Sequence, residues 1–265
     1  MSIAVDAMGG DRAPLVVVEG AVEAARDYGV SVILVGDAEI VRAELAKYDT
    51  AGLAITVKHA DEVVGMGEPP SQAVRRKKKS SIWIGVKLVE SGEAEAFVSA
   101  GNTGAVMAAS VVCWGTLPGV ERPAIVVLLP TLTGVTSMLD VGATVDCKPK
   151  HLVQFAIMGE IYARCILKRD NPKVALLSIG EEAGKGNDVI RETFSILKRT
   201  PINFIGNVDG KEVYKAKADV VVCDGFIGNV ALKISESLAE MIGELLRVEL
   251  TRTWRYRLGA LLLRP

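Results

Sequence analysis

Short runs of β-branched residues alternate with longer stretches of helical periodicity, and this alternation limits what the chain can fold into. The strand-like runs cover residues 3–5, 32–35, 55–58, 96–99, 125–129, 137–141, 174–178, 203–205 and 220–223. Helix-like segments lie between them at 15–28, 38–48, 81–90, 106–113, 151–167 and 188–198. Continuous apolar strands, lacking the polar alternation of a one-sided sheet, are buried on both faces. That requires a mostly parallel sheet with helices on either side. The expected class is α/β, in three α/β/α layers. Residues 228–264 contain no proline and read as a long helix or a helical hairpin. With no internal repeat, low-complexity segment or marked linker, residues 1–265 read as one catalytic unit ending in that helical segment.

Composition removes several classes of function. Lys and Arg number 31 against 32 Asp and Glu, a formal net charge of -1, which argues against nucleic acid held by bulk positive charge. Aromatic residues make up only 5%, too few for a base-stacking platform. The cysteines Cys113, Cys147, Cys165 and Cys223 are scattered without a CxxC pair, which suits a reducing compartment better than a disulfide framework. No basic segment followed by an apolar stretch opens the chain, and no apolar run approaches a membrane span. The expected location is the cytoplasm.

The loops after the strands carry the chemistry. They read Asp6-Ala7-Met8-Gly9-Gly10-Asp11, Gly101-Asn102-Thr103-Gly104, Asp140-Val141-Gly142-Ala143, Gly180 through Gly184-Lys185-Gly186-Asn187, Gly206-Asn207-Val208-Asp209-Gly210 and Asp224-Gly225-Phe226-Ile227-Gly228-Asn229. In parallel α/β sheets ligands bind beyond the carboxyl ends of the strands, so these loops are expected to converge at one sheet edge. Glycine permits close backbone approach, and helix N-termini favour anions, so the convergence suits phosphate or another small anion. The plain alternative is that each loop only makes a tight turn. None matches GxxxxGK[ST], GxGxxG or GxSxG. His59 and His151 are the only histidines and form no HExxH pattern, so neither a metal nor a cofactor is expected.

Together with Ser99-Ala100 and the cationic run Arg75-Arg76-Lys77-Lys78, these segments resemble the bacterial phosphate acyltransferase family, the fatty acid/phospholipid synthesis proteins. The resemblance runs in order from Ser2 to Pro265. It implies a three-layer fold like that of isopropylmalate dehydrogenases and phosphotransacetylases, assembled as a homodimer. It also implies the conversion of acyl-acyl carrier protein and inorganic phosphate into acyl phosphate for phosphatidic acid synthesis. Family members continue beyond residue 265 through another glycine-rich stretch and a last strand, so that tail is expected to be absent here. Two alternatives stay open: a short-chain phosphate acyltransferase using coenzyme A thioesters, and a non-catalytic module that binds acyl carrier or membrane.

The reaction implied is attack of a phosphate oxygen on a thioester carbonyl, with the carrier thiolate leaving. Phosphate is partly dianionic near neutrality, so the demands are positioning, charge neutralisation, oxyanion stabilisation and exclusion of water. Lys185, in a glycine-flanked loop, is the candidate for neutralising phosphate. Asn102 and Asn229 are candidate donors, although either also reads as a helix cap. Asp224 reads equally as a catalytic orienting group or a strand-end cap. Asp6, Gly9, Gly10, Asp11, Gly101, Thr103, Gly104 and Gly186 complete the expected phosphate and substrate loops, the aspartates orienting rather than touching phosphate. Cys147, next to Lys148 at a helix start, reads as a possible nucleophile or as a buried structural thiol, and direct attack by phosphate is the working mechanism.

Two basic features point to macromolecules. Arg75, Arg76, Lys77, Lys78 and Lys79 form a cationic stripe suited to acidic acyl carrier protein, or simply a solvated helix start. In residues 247–264, arginines at 247, 252, 255, 257 and 264 accompany Leu246, Leu250, Trp254, Leu258 and Leu262, four residues apart. That pattern suits an amphipathic helix on the anionic inner face of the membrane, where a downstream glycerol-3-phosphate acyltransferase would receive the product. A dimer-interface or core helix is the competing reading.

Overall fold

A computed structural model describes residues 1–253, 255–257 and 259, and folds them as two compact units, 1–119 and 120–265. In the first unit, β1 (Ser2–Asp6), β2 (Ser31–Gly36), β3 (Ile55–His59) and β4 (Ala96–Val98) form a parallel sheet of order β3-β2-β1-β4. Because successive strand residues point to opposite faces, Val32 and Leu34 pack with Val18, Ala21 and Ala25 of α1 (Leu15–Tyr28) and Val41 of α2 (Ala38–Leu45). Ala4 and Val35 face the other way, towards Leu88 of α4 (Ser81–Glu90). On that same side α3 (Pro70–Arg76), α4 and α5 (Thr103–Trp114) share a cluster of Val74, Ile82, Val86, Ala105 and Ala109.

The second unit repeats the principle with one change. Its strands are β5 (Val126–Thr131), β6 (Gly134–Leu139), β7 (Val174–Leu177), β8 (Phe204–Val208) and β9 (Val220–Val222), in the order β5-β6-β9-β7-β8. All pair in parallel except β5 with β6, an antiparallel hairpin that places Pro130 on an edge strand, where a missing N–H costs least. Leu139, Val174, Leu176, Val220 and Val222 pack against α6 (Pro149–Cys165) and α7 (Asp188–Leu197) through Phe155, Leu152, Phe194 and Leu197. Met138, Ala175, Val208 and Val221 face Val213 of α8 (Gly210–Val213) and Leu232 of α9 (Gly225–Thr251). Each unit is therefore three-layered, as the sequence implies.

Three local features differ from the sequence expectation. The short helices α3 and α8 were not expected. Helix α5 begins at Thr103 rather than 106 because Asn102 caps it, and α9 begins at Gly225 because Asp224 does. Instead of meeting at one edge, the glycine-rich loops divide between two sheets. Those after β1 and β4 belong to the first unit, and those after β6, β7, β8 and β9 to the second. Among the described residues no helix is long and apolar enough to cross a membrane.

Candidate functional site

In the first unit the loops after β1 and β4 are tied together by Asp6. Its carboxylate, 1% exposed, accepts from the Met8 N–H through Oδ1 (3.1 Å) and from Ser99 Oγ through Oδ2 (2.7 Å). Ser99 Oγ in turn accepts from the Gly101 N–H at 3.0 Å. The contact leaves no room for side chains: a Cβ on Gly9 would lie 2.5 Å from Asp6 Oδ2 and 2.7 Å from the Gly101 nitrogen. Gly10 adopts φ +96°, a conformation that L side chains rarely adopt. Asp6 thus orders the loops from within, while Asp11 is exposed.

Asn102 is committed at both ends of its amide. Oδ1 accepts from the Ala105 N–H at 3.0 Å, and Nδ2 faces the carbonyls of Gly65 (3.2 Å), Met66 (3.1 Å) and Glu68 (3.0 Å). The Thr103 and Gly104 N–H groups lie in the first turn of α5, where no intrahelical acceptor exists, and Thr103 is exposed. The Asn102 side chain is thus engaged within the loop, whereas these two amides have no intrahelical acceptor. Gly104 is required for a separate reason, since a Cβ there would lie 2.5 Å from Pro70 Cγ.

In the second unit Asp140, fully buried at the end of β6, organises the following loop. Oδ1 accepts from the N–H groups of Ile125 (3.0 Å), Gly142 (3.1 Å) and Ala143 (2.9 Å), and Oδ2 from Thr144 (2.7 Å). The start of α9 seats directly on that loop. Asp224 Oδ1 caps the Ile227 N–H at 2.8 Å, and the Gly225 N–H donates to the Thr144 carbonyl at 2.9 Å. A Cβ on Gly228 would fall 1.8 Å from the Asp140 carbonyl oxygen. Asn229 is exposed, its Nδ2 3.6 Å from where a Cβ on Gly142 would stand.

Cys147 lies beneath the same loop, its Sγ 3.3 Å from the Thr144 carbonyl. Burial, reinforced by the negative charges of Asp140 and Asp224, pushes its thiol up to about 11. Burial first, then Asp224, likewise raises the Cys223 thiol. Neither is a ready thiolate near neutrality.

The loop leading from β7 into α7 holds Lys185 exposed, and among the described residues no carboxylate pairs with it. The loop is pinned around it. Asn207 Nδ2 and the Lys185 N–H both donate to the Glu182 carbonyl (3.0 and 2.9 Å), and Lys217 bridges Glu181 (2.5 Å) to Glu212 (2.7 Å). Asn187 Oδ1 caps α7 through the Ile190 N–H at 2.9 Å. Gly186, at φ +99°, stands where a Cβ would be 3.0 Å from Ser178 Oγ. A cavity of about 370 Å³ opens here between Ser178, Ile179, Gly186, Asn187, Ile190 and Ile227. Among the described residues, Ser178 Oγ and Asn207 Oδ1 are buried without a hydrogen-bond partner.

The cationic stripe resolves into unlike parts. Lys77 Nζ donates to Glu68 Oε1 (2.5 Å) and the Val63 carbonyl (2.7 Å), Lys78 Nζ stands 3.2 Å from the Trp83 ring centroid, and Lys79 pairs with Asp61 at 2.9 Å. Arg75 and Arg76 project from the last turn of α3 as exposed cations. Of the four apolar residues expected at a membrane, Leu250 is exposed on α9, and Trp254, Leu258 and Leu262 lie outside the described residues.

Sequence reasoning placed Asp140 and Asn207 in these loops without a role of their own, and passed over Ser178 and Glu68. Asp140 had a signal, an acidic residue opening a Gly-Ala loop after a strand. Glu68 had none, because its partners are set by the fold.

Comparison with known proteins adds a family. A family model described as "Fatty acid synthesis protein" matches residues 1–265. A phosphate acyltransferase of Citrifermentans bemidjiense is 59% identical over 264 residues, covering all of this chain and 75% of the relative. One from Geobacter sulfurreducens is 56% identical, covering all of this chain and 76% of the relative. Among solved structures, a phosphotransacetylase from Streptococcus pyogenes superposes with a TM-score of 0.66 at 21% identity, covering 91% of this chain and 82% of the other. The EutD phosphotransacetylase from Staphylococcus aureus gives 0.64 at 18% identity, with the same coverage. At such identities these structures attest to the fold.

Proposed function

The chain belongs to the fatty acid synthesis protein family, whose relatives are phosphate acyltransferases, and from that premise we propose that its donor is a long-chain acyl-acyl carrier protein. A phosphate oxygen attacks the thioester carbonyl carbon, and the tetrahedral oxyanion collapses with cleavage of the C–S bond. The phosphate proton passes to the departing thiolate, leaving acyl phosphate and the carrier thiol. The observation that carries this reading is the family match over residues 1–265. Local geometry within each unit supports the following roles. Lys185, exposed and unpaired among the described residues, neutralises phosphate charge. In the first unit the first-turn amides of Thr103 and Gly104 offer N–H groups, and the tight backbone at Gly9, Gly10 and Gly101 admits an anion without side-chain obstruction, as Gly186 does beside Lys185 in the second unit. Asn229 donates from the surface of α9, and Asp6, Asp224 and Asn102 hold the loops in register. Arg75 and Arg76 receive the acidic carrier protein.

Release of free thiol from palmitoyl-acyl carrier protein, measured with and without inorganic phosphate, tests the reaction. Phosphate-dependent release is expected. Equal release without phosphate overturns the reading, and release from acyl-coenzyme A alone moves the donor to the short-chain class. Lys185→Met is expected to raise the KM for phosphate roughly tenfold or more, the loss of one charge-assisted contact, with Lys185→Arg recovering part of it. The exposed apolar side of α9 further supports a homodimer. The arginine-rich segment beyond it supports contact with an anionic membrane, and delivery there to an acyltransferase acting on glycerol 3-phosphate.

A further inference from the structure

The segment 63–69, which joins β3 to α3, is a strap held almost wholly by polar contacts. Val64 enters the core, but Val63 and Met66 are exposed. Three strap carbonyls, those of Gly65, Met66 and Glu68, face Nδ2 of Asn102. Rotating that amide by half a turn would set Oδ1 against three carbonyl oxygens and Nδ2 against the Ala105 N–H, so the strap dictates its orientation. The cap at the start of α5 therefore depends on a segment more than thirty residues away in the chain.

Lys77 closes the strap. Its ammonium donates to Glu68 Oε1 at one end (2.5 Å) and to the Val63 carbonyl at the other (2.7 Å). The same Glu68 oxygen accepts from the Gly65 N–H at 2.7 Å. Lys77 follows the last residue of α3, the helix whose first proline abuts Gly104. One short helix and one ion pair thus brace both sides of the 101–104 loop.

We propose that Lys77 and Glu68 are positioning residues that act through Asn102, keeping the Thr103 and Gly104 amides aimed at phosphate, and that Lys77 is not part of the carrier-docking surface. This rests on the reading that the 101–104 loop contributes to phosphate binding. Without Lys77 the Glu68 carboxylate loses its cation and the strap loosens. The Asn102 amide then loses the carbonyls that hold its Nδ2 and keeps only the Ala105 N–H, so the cap and the first turn of α5 become more mobile.

The test compares Lys77→Met, Lys77→Arg and Glu68→Gln with the wild-type chain. The readouts are the KM for phosphate, the KM for palmitoyl-acyl carrier protein, and hydrogen exchange at Ala105 and residues 63–68. Lys77→Met is expected to raise the KM for phosphate roughly tenfold while the carrier KM stays within about twofold, and to speed exchange at Ala105. Lys77→Arg restores all three. Glu68→Gln, which keeps an acceptor for Gly65, shifts the phosphate KM by roughly threefold and serves if Lys77→Met does not fold. A rise in the carrier KM with phosphate KM and Ala105 exchange unchanged returns Lys77 to docking and overturns the proposal, as does no change in any readout. Exchange is measured without turnover. Faster Ala105 exchange in a chain with no phosphate-dependent thiol release therefore upholds the brace and rejects the reaction.

Discussion

A thiol beside a lysine at a helix start reads either as a nucleophile or as a buried structural thiol, and at Cys147 the fold favours the second. Burial raises the thiol most, and the carboxylates of Asp140 and Asp224 raise it further, to about 11. At pH 7 roughly one molecule in ten thousand would carry the thiolate. Cys147→Ala is therefore expected to keep at least half of wild-type phosphate-dependent turnover, and complete loss in a folded variant would require an acyl-enzyme. The same shift predicts a pH effect on stability. A thiol whose pKa in the fold is above the ordinary 9.0 favours the folded state below that value and loses this contribution as pH climbs towards 11. The fall in melting temperature between pH 9 and pH 11 should accordingly be steeper for the wild type than for Cys147→Ala. Legibility at this scale stops where partners are distant in sequence. The run 75–79 reads as five equivalent cations, but Lys77, Lys78 and Lys79 are claimed by Glu68, Trp83 and Asp61. Asn102 reads correctly as a cap, and nothing in its neighbourhood announces the three carbonyls on its other side.

Among the elements, α9 shows how two glycines in one helix answer to different causes. Gly228 is the point where the first turn of α9 touches the Asp140 backbone, and a Cβ there would overlap the carbonyl oxygen at 1.8 Å. A Cβ on Gly243 would meet nothing within 4 Å among the described residues outside its own helix turn. Gly228→Ala should cost about 3 kcal/mol, the upper end for overpacking, or roughly 6–12 °C in melting temperature. Gly243→Ala should instead gain about 0.5–1 kcal/mol from helix propensity. Thermal denaturation of the two variants checks both, and equal effects would mean that α9 does not seat on the 140–144 loop as described. Elements with a strong period were legible, since each β-branched run became a strand. The pairing sense of β5 was not, because antiparallel and parallel core strands share an apolar run. Pro130 was the available sign of an edge. Helices α3 and α8 are too short to establish a period: seven and four residues, held by Pro70 and by the Asp209 cap.

At the scale of the whole molecule, each unit closes a core of its own, and the change-over at 119–120 falls within Gly115-Thr116-Leu117-Pro118-Gly119 and Pro123, a turn-forming cluster. What neither core absorbs is α9 beyond Leu232. Ile234, Leu238, Met241, Leu245 and Val248 recur at intervals of four and three residues, and all stand about half exposed or more. That spacing is the 3.5-residue repeat of a helix that packs lengthwise against another helix. From residue 234 to 248 the stripe is about 21 Å long at 1.5 Å per residue. An apolar strip of that length is too large to leave in water on a soluble monomer. We propose a second copy as the occupant, because it carries a matching repeat. Sedimentation at micromolar concentration is therefore expected to give a dimer, about twice the 28.2 kDa chain. Leu238→Asp with Leu245→Asp should dissociate it, because burying carboxylates in the seam costs far more than exposing them. A wild-type chain that sediments at the mass of one chain removes the dimer. Flotation with anionic vesicles that is lost once the same aspartates are introduced would then point to a membrane as the occupant.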